Sequence, residues 1–142
     1  MTQKLSEKEY GVTRRQDSQA VAIARAHIRA WSNHDFETAR KYLAEDVHVT
    51  VSTTQPIMSA TDTTGVGLYM EGLQKFVQPI EQGSARVTES IGDDHNALLM
   101  VTVKGKFAPD VAPVTLTGAR LYLIDEKNKI KSEKVIFCVL EN

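Results

Sequence analysis

Cysteine occurs once in this chain, at Cys138, so no internal disulfide can form, and the usage fits a reducing, cytoplasmic setting. Long apolar runs are missing too. None approaches the roughly 20 residues of a membrane-spanning helix, and the polar start from Met1 to Asp17 lacks the apolar middle of a secretory signal. Charge of one sign is not in excess: 17 basic and 18 acidic residues leave a net charge of −1. That balance gives no electrostatic reason to expect nucleic acid or an anionic membrane as partner. His, Cys and carboxylate residues show no metal-ligand spacing. Gly65-Val66-Gly67 has neither the preceding strand nor the third glycine of a phosphate loop. No metal or cofactor is therefore expected. Repeats, low-complexity tracts and a dividing linker are likewise absent.

What is present is enough for a core. Hydrophobic residues make up 42% and charged residues 25% of 142 positions, the composition of one globular domain. Residues 1–16 read as a flexible leader and 17–142 as a single domain. A first helix begins at Asp17 or Ser18, either of which can cap it. Ala20, Ala24, His27 and Trp31 share its buried face, which places a histidine inside an apolar stripe. Asp35 is placed to cap a short second helix with Phe36, Ala39 and Leu43 on one face, ended by Glu45-Asp46. Val47, Val49 and Val51 then alternate with polar residues as a half-buried strand. Residues 53–64, with Gln55, Pro56 and Asp62, read as a long loop able to cover a cavity mouth. A third helix follows from about Gly65 to Gln78, with Tyr69, Leu73, Phe76, Val77 and Ile80 on one face and Pro79 at its end. The rest is a four-strand antiparallel meander: Arg86–Ile91, Ala97–Phe107, Val114–Ile124 and Lys129–Leu140. Helices gathered on one side of such a sheet make an α+β fold.

Three stretches carry a family resemblance. Ala30-Trp31-Ser32-Asn33-His34-Asp35, Ala44-Glu45-Asp46-Val47 and the hairpin from Arg120 to Ile130 are similar to SnoaL-like and ketosteroid isomerase-like proteins of the nuclear transport factor 2-like superfamily. With the element order, the resemblance spans about residues 17–140. It implies a cystatin-like cone in which three N-terminal helices pack on a curved, mainly antiparallel sheet around a pocket. It also implies a homodimer through the outer sheet face, where Ala119, Leu121, Leu123, Ile136 and Cys138 supply apolar area. Function is not implied so closely, since this fold hosts isomerases, cyclases, dehydratases, hydrolases and plain binding domains.

Ketosteroid isomerase uses an aspartate base with a tyrosine and a protonated aspartate in its oxyanion hole. The resemblance puts His27, Val51 and Arg120 at the tyrosine, base and acid positions, so that route to steroid isomerisation is lost. On the implied pocket side, Gly118, Arg120 and Tyr122 face Lys131, Glu133, Val135 and Phe137. A four-residue turn at Asp125–Asn128 would set Arg120 directly across from Glu133. Epoxide hydrolases of the superfamily hold an arginine between two acids; one acid is placed here.

The candidate chemistry is then His27 as acid or base, Arg120 as binder of a ligand oxygen, and Glu133 as its orienting partner or the base. The plainer readings are a hydrogen-bonded helix histidine and a sheet-stabilising ion pair. Trp31, Val51, Tyr69, Phe76, Met100, Tyr122 and Phe137 are core residues from which a ligand-lining set would be drawn. His48 points away by strand alternation, Asp93-Asp94 is a turn, and Cys138 lacks an activating partner. The expectation is a small, mostly apolar, oxygenated ligand undergoing cofactor-free isomerisation, cyclisation or hydrolysis. The alternative is a non-catalytic ligand-binding or dimerisation module of the same fold.

Overall fold

The computed structural model describes residues 17–53 and 61–140, with side chains to Phe137. The leader at 1–16, Gln55 with Pro56, and the Cys138 side chain lie outside the described residues.

The helices begin where the capping residues predict. Ser18 accepts from the Val21 amide and starts α1 (Gln19–Ser32). Asp35 accepts from the Thr38 amide and starts α2 (Phe36–Lys41). Gly65, at φ 111°, turns the chain from the preceding strand into α3 (Val66–Val77), a backbone angle that favours glycine.

Among the described residues six strands form one mixed sheet in the order β2-β1-β6-β5-β4-β3. They are β1 (Leu43–Thr53), β2 (Thr61–Thr64), β3 (Arg86–Gly92), β4 (Asn96–Gly105), β5 (Val114–Ile124) and β6 (Ile130–Leu140). The last four make the predicted antiparallel meander, and β1 joins β6 in parallel. The first and last strands thus meet in the middle of the sheet. Three helices on this sheet give the α+β class.

Several expectations are corrected. Leu43 and Glu45-Asp46 belong to β1 and not to α2, because the Tyr42 carbonyl accepts from the Ile130 amide at 2.7 Å and draws the chain into the sheet. Thr61–Thr64 is an edge strand paired with β1 and not loop. The hairpin register differs as well. Asp125 Oδ1 accepts from the amides of Lys127 and Lys129, and Asn128 takes φ 63°, so the turn holds five residues before Ile124 meets Ile130. An irregularity follows at Lys131, which leaves that side chain exposed. Arg120 therefore sits across from Val135, and Tyr122 sits across from Glu133.

The core follows from alternation. Leu99, Val101 and Val103 of β4 are buried, as are Leu116, Tyr122 and Ile124 of β5 and the Ala20–Ala24–Ile28–Trp31 side of α1. Among the described residues, His27, Ser32, Arg120 and Glu133 are polar or charged and buried with them.

Candidate functional site

A buried charged pair must be held from several directions to be tolerated. Here Arg120 donates from Nη1 to Glu133 Oε2 at 2.8 Å, diagonally across the β5–β6 ladder, with both side chains almost fully enclosed. The second carboxylate oxygen, Oε1, accepts from the Tyr69 hydroxyl of α3. Tyr69 Oη also lies 2.9 Å from His27 Nε2 of α1. His27 Nδ1 donates to the Ala39 carbonyl of α2 at 3.0 Å, since a carbonyl can only accept. Three helices and two strands thus converge on one chain of contacts from Ala39 to Arg120.

Aromatic rings enclose the cation. The Arg120 guanidinium carbon lies 5.2 Å from the Trp31 ring, 5.5 Å from Phe76 and 5.6 Å from Phe137, all within cation–π range. Gly118 makes room for this. A Cβ there would meet the Ile136 carbonyl at 2.9 Å and the Phe137 ring at 3.1 Å, so only glycine lets Phe137 lie across β5. Among the described residues, Trp31 Nε1 and Arg120 Nε are buried without a hydrogen-bond partner, and the buried Tyr122 Oη stands beside Glu133.

The enclosure sets protonation. Burial lowers His27 below the usual imidazole value, and Glu133 and the Ala39 carbonyl only partly oppose it. Burial pushes the Glu133 carboxyl up, but Arg120, His27 and the tyrosine hydroxyls together bring it below its ordinary value. Burial first, then Glu133, raises both Tyr69 and Tyr122 well above the usual phenol value. Arg120 stays charged: burial disfavours the cation, yet Tyr122 and Glu133 hold it above its ordinary value.

Beside this group is a cavity of about 140 Å³ between α3 and strands β1, β2, β5 and β6. Arg120, Glu133 and Tyr69 are its polar lining residues, and Val51, Phe76 and Phe137 are among its apolar walls. A wider groove of about 640 Å³ near His95 and Lys127 has no buried charge and lies at the far hairpin end.

The structure brings the predicted residues together unevenly. His27, Arg120 and Glu133 form one cluster; Val51, Tyr69, Phe76 and Phe137 border the cavity. Trp31 backs the guanidinium, and Tyr122 is buried beside the ion pair. His27 stands behind Tyr69 and is not among the cavity walls. Met100 does not join them: it faces outward with Leu98 and Ile91, because Leu99 and Val101 take the inner side of β4. His48 turns outward and pairs with Asp62 at 2.7 Å. Sequence reasoning missed Thr61, Thr63, Leu68 and Gly72 at the cavity, and the linking part played by Tyr69. The signal for Tyr69 was available: among the buried residues of α3 it alone carries a hydroxyl. Among the described residues no three His, Cys, Asp or Glu side chains converge as metal ligands.

Residues 24–133 match the family model of the SnoaL-like domain. No curated protein matches the chain. Among solved structures, RV0760c from Mycobacterium tuberculosis, crystallised with estradiol-17beta-hemisuccinate, is 12% identical with TM-score 0.69 over 84% of this chain and 93% of that one. An NTF2-like protein from Burkholderia xenovorans is 16% identical with TM-score 0.66 over 84% of this chain and 88% of that one. At these identities the likeness speaks for the fold.

Proposed function

We propose, for a chain that belongs to the SnoaL-like domain family, that the cavity binds a small, largely apolar molecule by an oxygen at Arg120 and acts on it by cofactor-free acid–base chemistry. The observation that carries this reading is a carboxylate–guanidinium pair at the wall of an apolar cavity. Such sites are mostly apolar with a few converging polar groups. Arg120 binds and polarises the ligand oxygen, and Glu133, ionised and facing the cavity, is the base. Tyr69 carries protons between Glu133 and His27, which makes His27 a positioning and buffering group one residue removed from the ligand. Isomerisation, cyclisation and hydrolysis all use this kit.

Size narrows the ligand. A cavity near 150 Å³ holds about one benzene ring, and this one is about 140 Å³. The body seated beside Arg120 is therefore monocyclic in scale, and a steroid nucleus would extend through the mouth at Thr61, Thr63 and Leu68.

The test is binding of benzoate by calorimetry to the wild-type protein and to the Arg120→Met/Glu133→Met double variant. Apolar replacement of both partners keeps the site packed. The reading expects benzoate binding to be lost while the thermal transition is retained. Equal binding by both proteins would show that the pair does not hold the ligand.

One observation favours a second reading, binding without turnover: both Glu133 oxygens already have partners. Glu133→Gln separates the two, since a binding module keeps its ligand affinity and loses no turnover.

The outer sheet face is proposed to seat a second copy of the chain. Ile91, Leu98 and Leu121 stand in one cross-strand row and Met100, Ala119 and Ile136 in the next, with Ile91 69% and Ile136 59% exposed. Adjacent apolar rows of this kind mark an interaction surface.

A further inference from the structure

The relay from His27 to Arg120 can be counted in protons. His27 Nδ1 must carry hydrogen to bond the Ala39 carbonyl. Two contacts then remain to be bridged, His27 Nε2 with Tyr69 Oη at 2.9 Å and Tyr69 Oη with Glu133 Oε1. Each needs one hydrogen. Neutral His27, neutral Tyr69 and ionised Glu133 have only the phenol hydrogen to share between them. If Tyr69 gives it to Glu133, Nε2 and Oη face each other with lone pairs alone. If Tyr69 gives it to His27, Oη and the carboxylate do so. One more proton closes the network, whether it rests on Nε2 or on Glu133.

The charges count the same way. Arg120 and Glu133 cancel, so a neutral relay leaves the cluster at zero. A monoanion seated at Arg120 would bring the enclosed site to −1, with two negative groups sharing one cation. Buried like charges of this kind favour protonation of one partner. The proton that closes the hydrogen bonds also restores zero.

We propose that the cavity takes its ligand as a monoanion, a carboxylate or an enolate, together with one proton delivered to the His27–Tyr69–Glu133 relay. This rests on the reading of Arg120 as the oxygen binder and goes beyond it by fixing the ligand's charge. Among the described residues, the other groups facing His27 do not offer a competing site. Tyr42 meets it edge-on with ring centroids 6.4 Å apart, and Tyr122 does the same from β5. β4, which also packs on α1, turns Ala97, Leu99 and Val101 to the core, and β3 meets α1 where Arg25 donates to Ser90. Burial keeps His27 below the ordinary imidazole value in the unliganded protein, which leaves it free to accept a proton near neutrality.

The experiment is calorimetric titration of benzoate at pH 7 in buffers of different ionisation enthalpy, with benzamide as the neutral match. Benzoate should bind with uptake approaching one proton, and its affinity should weaken about tenfold for each rise of one pH unit over the range where that uptake holds. Benzamide should bind with no uptake and no pH dependence. Glu133→Gln, which removes the negative charge that the ligand would double, should lower the uptake to less than half, and Tyr69→Phe, which cuts the relay, should lower it as well. Benzoate binding without proton uptake overturns the inference and leaves Arg120 as binder. Uptake unchanged by both variants, or matched by benzamide, also overturns it. Absence of benzoate binding in every buffer overturns the inference and the reading beneath it.

Discussion

The two faces of the β5–β6 hairpin carry each other's residues. On the inner face, where apolar side chains are expected, Arg120, Tyr122 and Glu133 are buried. On the outer face, where polar ones belong, Leu121 and Ile136 are 36% and 59% exposed. β4 departs in the same way on its outer side, with Leu98 and Met100, yet keeps an ordinary inner side of Ala97, Leu99, Val101 and Val103. A strand that obeys alternation on its inner side only builds core. A hairpin that breaks it on both sides gives up stability inside and solubility outside, a departure expected at functional or strained sites.

The inner departure is the more costly to disturb. Arg120→Met leaves the enclosed Glu133 carboxylate without its cation, though Tyr69 still donates to it, and removal of one member of a buried pair costs about 3–5 kcal/mol. Chemical denaturation should register that loss. The Arg120→Met/Glu133→Met double variant should recover most of it, because no charge is left buried and Tyr69 can then donate to His27. A double variant as unstable as the single would mean that the pair is a structural clamp.

Part of this inner face was legible in the sequence. Ser18 and Asp35 announced two helix starts, and the 4-3-4 spacing placed His27 and Trp31 inside. The resemblance drew attention to Arg120 and Glu133. Their register was not legible, because it depends on Asp125 capturing two amides and on the irregularity at Lys131, neither of which alternation encodes. Tyr69 and Glu133 are 64 residues apart, so nothing local tied the hydroxyl to the carboxylate. β2 was hidden for a different reason: Thr61–Thr64 is polar on both sides and becomes a strand only through pairing with β1. Met100 sat within an apolar run whose inward half only the β4–β5 pairing decides.

Acid should probe the same cluster more gently. His27 titrates below its usual 6.5 when folded, chiefly through burial, so between the folded value and 6.5 the unfolded chain binds a proton that the folded chain does not. Stability should therefore fall as pH drops through about 6.5 and level off only below the folded value. Glu133, also lowered, adds a loss of the same sign below its ordinary 4.5. Denaturation midpoints from pH 8 to pH 4 would show two segments, and His27→Gln should erase the upper one. Persistence of that segment in the variant would assign it to other groups.

At the cavity mouth stability and binding should part. Gly72 lies exposed in α3, borders the cavity, and has open space within 4 Å of where a Cβ would stand. Gly72→Ala should raise stability by roughly 1 kcal/mol through helix propensity. The same methyl projects at the mouth, so benzoate affinity should fall while the denaturation midpoint rises. A parallel rise in both would place the entrance elsewhere.

The smallest effect on folding is expected on the outer face, and that smallness is the point. Leu121 stands between Leu98 on β4 and Lys134 on β6, and is already partly in water. Leu121→Glu leaves the inner face untouched and, with Lys134 directly opposite, should change monomer stability by no more than about 0.5 kcal/mol, as surface substitutions usually do. If a second copy covers this face, the substitution buries an unpaired charge in an apolar interface, which is strongly unfavourable. Sedimentation should then show wild-type dimers and variant monomers at equal concentration, with benzoate binding intact in both. A wild-type protein that sediments as a monomer would leave the apolar rows without a second copy to seat. A variant that dissociates and also loses benzoate would instead tie the two faces together, through the backbone that Arg120 and Leu121 share as neighbours.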